Sequence, residues 1–143
     1  MSITELLAAI YAHHQNNNPE GTIGFYPATT TPEIDAAAAV FQAGFPEDLR
    51  ELYLQHGQVF YIWSTIDIMG VTFIPETHQQ LLEISKEYGE VGHIKGPVAP
   101  VAHTHTRIPF AGNSDLNFSI DLDPPTGGKP GQIVRLDLEL GKV

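Results

Sequence analysis

Leu116-Asn117-Phe118-Ser119-Ile120-Asp121-Leu122-Asp123 alternates apolar and polar residues without a break, and Val134-Arg135-Leu136-Asp137-Leu138-Glu139-Leu140 does the same. A strand turns successive side chains to opposite faces. Period two over this length therefore predicts two strands, each with one face on a core and one in water. Between them Pro124, Pro125, Gly127, Gly128 and Gly131 supply a tight connection. Just upstream, Thr106 to Phe110 reads as a third strand, turned back across 111–115. The strands at 106–110, 116–122 and 132–140 are thus expected to be consecutive antiparallel neighbours, with Phe118 and Ile120 on one face.

Toward the N-terminus the period changes. Ser2 and Glu5 form a capping box ahead of Ile3, Leu6, Leu7 and Ile10, and the helix should fade at Asn16-Asn17-Asn18-Pro19. Residues 19–30 read as an irregular connection. Thr31-Pro32-Glu33 starts a second helix, with a capping hydroxyl, Ile34, Ala37, Ala38 and Phe41 on one face, and Gly44 as its stop. Pro46-Glu47-Asp48 starts a third, which carries Leu49, Leu52, Tyr53 and His56 and ends at Gly57. Val59 to Trp63 is a strand, and Ile66 to Ile74 a second one broken near Gly70. Residues 77–88 look helical, with Leu81, Leu82, Ile84 and Tyr88 apolar, and 89–102 is a loop. Helices first and antiparallel strands last make one α+β domain over 1–143, N-terminal helices packed on a largely antiparallel sheet.

Charge narrows the function. The chain has 17 acidic against 7 basic residues, a formal charge of −10. Such a surface repels nucleic acid and anionic membranes, and it attracts a basic protein. Glu47, Asp48, Glu51, Asp67, Glu76, Glu87 and Glu90 stand on predicted helix starts, exposed faces and loops, and are the candidate partner-binding acids. The chain has no cysteine, which excludes disulfides and thiol chemistry and fits a reducing compartment. Ile3 to Tyr11 lacks the basic lead of a secretory peptide, and no window approaches the roughly 20 apolar residues of a membrane span. A cytoplasmic protein is expected.

Motifs for chemistry are incomplete. His103-x-His105 puts two imidazoles on one face of an extended segment, and with His93 or an acid they could hold zinc or nickel. The other histidines are scattered without ligand spacing. Asp115-x-Asn117-x-Ser119 begins like a calcium loop, but Ile120 stands where Gly is needed and Thr126 where the closing Glu belongs. Asp121 and Asp123 are better read as acids on the solvent face beside a turn. Gly127-Gly128-Lys129 lacks the spacing of a phosphate loop. No serine sits in a nucleophile elbow. The expectation is no enzyme, no metal and no cofactor. Trp63 ends the apolar run Val59-Phe60-Tyr61-Ile62 and is expected to pack in the sheet, with a partner contact as its alternative role.

Ile108-Pro109-Phe110-Ala111, then Phe118-Ser119-Ile120-Asp121-Leu122-Asp123-Pro124, then Gly131-Gln132-Ile133-Val134 resembles the signature of the SUKH superfamily (the Smi/Knr-type domains). Phe45-Pro46-Glu47-Asp48-Leu49 through Tyr53 to His56-Gly57 is similar to the family's helix motif, with His56 where the family favours Asn. The resemblance covers about 32–140. It implies a sheet flanked by helices and structural roles for Pro46, Gly57, Pro109, Asp121 and Gly131. Asp121 would hold the following turn through its side chain. It also implies binding rather than catalysis. Many bacterial members are immunity proteins that neutralise toxins, often nucleases, while fungal members regulate cell-wall assembly. A basic toxin domain is the partner implied first, and a regulatory scaffold is the alternative. The family usually continues past the last strand into a further segment, whereas the sequence given ends at Val143.

Overall fold

The computed structural model describes residues 3–17, 24–63, 66–139 and 143. The chain runs α1 (Ile3–Asn17), β1 (Gly24–Phe25), α2 (Thr31–Ala38), α3 (Glu47–Gln55), β2 (Val59–Trp63), β3 (Ile66–Ile68), a 3-10 turn (Val71–Phe73), α4 (Ile74–Tyr88), β4 (Arg107–Gly112), β5 (Leu116–Asp121) and β6 (Gln132–Asp137). The strands form one antiparallel sheet in which each pairs with its neighbours in sequence, order β1-β2-β3-β4-β5-β6. The class is α+β.

The three C-terminal strands pair as their alternation predicts. Ile120 stands opposite Ile108 and Ile133, and Phe118 opposite Ala111 and Arg135, so both point to one face. There Ile68, Ile108, Ala111 and Ile120 meet Ile34 and Ala37 of α2 and Leu49, Leu52 and Tyr53 of α3. Ile10 of α1 packs against the same core. Tyr53 is fully buried, and its hydroxyl donates to the Met69 carbonyl at 2.7 Å. Arg50 and Asp35 tie α3 to α2 at the surface, 2.7 Å apart.

The motif residues take structural places. Pro46 precedes α3 as its cap. Pro109 sits where the β4–β5 register shifts, a bulge being where a strand tolerates a missing N–H. Gly131 is left-handed (φ +88°) and donates to the Asp121 carbonyl at 2.7 Å. Asp121 accepts from the Asp123 N–H at 3.3 Å and so holds the turn.

Several expectations need correction. Residues 24–25 are not irregular but pair with β2. The stretch after Ile68 is not strand. Gly70 leads into the 3-10 turn, and α4 opens at Ile74 with Pro75 in a first turn that needs no N–H from it. The cap of α2 is Thr30, whose hydroxyl bonds the Glu33 carboxylate at 2.8 Å. The third helix does stop just before Gly57. α3 runs out through an extended His56, and Gly57 matters because a Cβ there would come within 2.5 Å of the Pro27 oxygen. β6 stops at Asp137 rather than continuing to 140.

The largest departure concerns the polar side of the C-terminal strands. Asn117, Ser119 and Asp121 are buried at 7, 3 and 2% exposure, although their alternation suggested a wet face. The register places them with Val134 and Leu136, on the face where Leu136 packs against Leu81 of α4 and Ala102. Only Asp123 of that series is exposed. The Ser2 cap, residues 18–23 and the side chain of Trp63 lie outside the described residues. Among the described residues no helix is long and apolar enough to cross a membrane.

Candidate functional site

The candidate acids divide by element. Glu47 and Asp48 are exposed in the first turn of α3, where the helix dipole favours negative charge, and Asp48 accepts the Leu49 N–H at 2.9 Å. Glu51, half-buried, accepts from Gln55. Asp67 is half-buried in β3. Glu76 opens α4, Glu87 lies near its end, and Glu90 follows it, all exposed. Glu90 also pairs with Val101 as an isolated antiparallel bridge. Among the described residues Glu47, Asp48, Glu76, Glu87 and Glu90 have no basic side chain within ion-pairing distance.

The end of α4 carries a surface that sequence reasoning missed. The buried stripe of this helix is Ile74, His78 and Leu81, and it continues to half-buried Ser85. Tyr88 is three residues further along the same stripe, yet it is 72% exposed. It overhangs the point where the rest of the protein stops covering the helix. Beside it is a groove of about 380 Å³, with Ile84 and Val91 on one wall and Leu138 on the other. Its floor is Ala102 and Leu136, the outside of the small cluster they form with Leu81. Glu90, Asp137 and Glu139 line it as well, and among the described residues no Lys or Arg does. The sequence shows Tyr88 only as an apolar residue of the helix, because the 3.6 period marks a face without showing where its cover ends.

Between α4 and the sheet runs a buried polar seam. His78 Nδ1 and His103 Nε2 are 2.8 Å apart, both residues 4% exposed. The His78 ring also lies against Phe41, centroids 4.5 Å apart. Ser85 Oγ donates to the His103 carbonyl and accepts from its N–H, which fixes the loop on the helix. Burial lowers the His103 pKa to about 3, helped by His78, Arg107 and His105, and burial followed by His105 lowers that of His78. Both imidazoles are therefore neutral at pH 7, one donating and the other accepting.

Arg107 completes the seam. It is 1% exposed, and its guanidinium donates to the carbonyls of Ala99, Val101 and Ala102 at 3.0–3.2 Å. Its Nε, without a hydrogen bond, lies 3.8 Å from Asp121 Oδ2. Ser119 donates to Asn117 Oδ1 at 2.9 Å, so two of the three residues resembling a calcium loop bond each other.

The histidines considered for zinc do not form one set. His103 turns inward to His78, exposed His105 has its ring centroid 6.2 Å from that of His78, and His93 lines another groove with Val143. Among the described residues no group of three or more His, Asp or Glu could hold a metal. Apart from Arg107 Nε, the seam's side chains bond one another and the backbone, an arrangement that fixes a loop. No protein-family model matches the chain, and no curated protein is significantly similar to it.

Proposed function

We propose that this chain is a non-enzymatic protein-binding domain of the SUKH kind, an immunity protein that neutralises a basic toxin domain by holding it in the cytoplasm. The observation that carries the reading is uncompensated acid. The chain bears −10, and Glu47, Asp48, Glu76, Glu87 and Glu90 stand exposed with no basic partner among the described residues. A nuclease toxin is basic because it holds a polyanion. A field of opposite sign speeds its encounter with this domain and selects it over acidic proteins. The ordered motifs from Phe45 to Val134 support the family, and the sheet with its helices agrees with them.

The test is co-expression with toxins encoded beside the gene. Rescue of growth is expected, together with a complex whose association slows as salt rises from roughly 0.05 to 0.3 M. If no toxin is neutralised and no basic partner copurifies at low salt, the regulatory-scaffold reading replaces this one.

A further inference from the structure

We infer that the groove at the C-terminal end of α4 is the docking surface, with Tyr88 as the anchor for an extended, arginine- or lysine-rich segment of the partner. The inference rests on the partner-binding reading above and gives it a place.

Three independent features converge there. Tyr88 is the most exposed large apolar side chain among the described residues, and it prolongs a helix face that is buried elsewhere. Desolvating such a ring on binding is a large gain at small entropic cost, and its face takes a guanidinium or ammonium. The second feature is the charge around the apolar floor. Glu90, Asp137 and Glu139 come from two separate chain segments, with no Lys or Arg in the lining among the described residues. The third is the sheet edge. β6 closes the strand order, and from Ile133 to Arg135 its outer edge makes no backbone hydrogen bond among the described residues. An extended segment can add bonds along such an edge while its side chains reach the groove.

Charge chooses the occupant. A second copy would bring another −10 and another acidic rim against this one, and like charges in contact oppose association. A basic segment with apolar residues between its cations matches both floor and rim.

The experiment uses the full chain and a fluorescein-labelled peptide of alternating arginine and leucine, with a glutamate–leucine peptide as control, read by fluorescence anisotropy at low salt. The basic peptide should bind and the acidic one should not. Tyr88→Ala should weaken binding about tenfold or more, while Tyr88→Phe keeps it. Glu90→Gln with Glu139→Gln should weaken it severalfold. Glu47→Gln with Asp48→Asn, whose charges act from a distance, should weaken it less than the groove pair does. Because Tyr88 is exposed, its variants should keep the wild-type circular dichroism. If the α3 variants weaken binding and Tyr88→Ala does not, the groove is wrong while the acidic-surface reading survives. Absence of any peptide binding overturns the groove alone, since the wider reading is decided by toxin co-expression. Sedimentation showing a dimer that Tyr88→Ala dissolves would give the groove to a second copy and overturn the inference.

Discussion

On one face of the sheet Ile68, Ile108, Ala111 and Ile120 meet the apolar sides of α2 and α3; on the other, Arg107, Ser119 and Asp121 lie beneath a loop and α4. Both regions are dry, and they are dry for different reasons. The first needs only shape and apolar area, so many residue combinations would fill it. The second needs each donor matched to an acceptor, because a buried polar group left unpaired costs about 1–3 kcal/mol. Apolar packing thus supplies bulk stability, while the seam specifies one position for residues 99–103. Phe41 and His78, ring against ring, join the two regions.

The sharpest way to break the contrast is Arg107→Met. Three loop carbonyls would lose their donor and Asp121 its counter-charge, at a cost of about 3–5 kcal/mol by urea unfolding. Adding Asp121→Asn should recover part of the loss. A cost below about 1 kcal/mol would show that the seam does not hold the loop. Next in size is Ile108→Ala on the apolar face, where removal of a fully buried side chain should cost about 2–4 kcal/mol, equally at pH 7.5 and 4.5.

Acid should separate the two faces. In the unfolded chain His103 takes a proton near pH 6.5, whereas in the folded protein it does so only at about 3. The unfolded state therefore binds more protons between these values. Its stabilising contribution is complete above 6.5 and falls by about 1.4 kcal/mol for each pH unit below, until it levels off near 3. His78, lowered in the same direction, adds to this. Urea midpoints measured from pH 7.5 to 4.5 should fall, and His103→Gln should flatten the slope by about one proton. An unchanged slope would mean that the imidazole is hydrated. The smallest effect is expected at the surface, where Glu47→Gln should shift stability by less than about 0.5 kcal/mol while slowing association with a basic partner at low salt.

The same contrast explains what could be read from the sequence. Period two located β5 and β6, and the spacing of Ile34, Ala37 and Ala38, then of Leu49, Leu52 and Tyr53, located α2 and α3. These signals lie within a few neighbouring residues. Alternation reports polarity, however, and polarity is not exposure once Asn117, Ser119 and Asp121 find partners. His78 and His103 meet across 25 positions, and no local pattern announces such a pair. Ile66 to Ile74 misled because a short β-branched run suits either a strand or a helix start, and packing decides. The acids Glu87 and Glu90 were legible as charge, but the groove beside them follows from where the cover of α4 ends.

The strict neighbour-to-neighbour order of the sheet has a consequence in time. β4, β5 and β6 lie within residues 107–137, joined by short turns, so the loops that close them are small and the search for their pairing is brief. β3 reaches β4 only after the whole of α4 and the 89–105 loop, and β1 reaches β2 only after α2 and α3. Folding should therefore begin as a C-terminal three-stranded meander onto which the N-terminal half condenses. Pulse-labelled hydrogen exchange would then protect the amides of β5 before those of β2. During synthesis the growing chain would hold helices and an incomplete sheet until residues 107–137 leave the ribosome, and the seam would close last where α4 meets it, at His78 and His103.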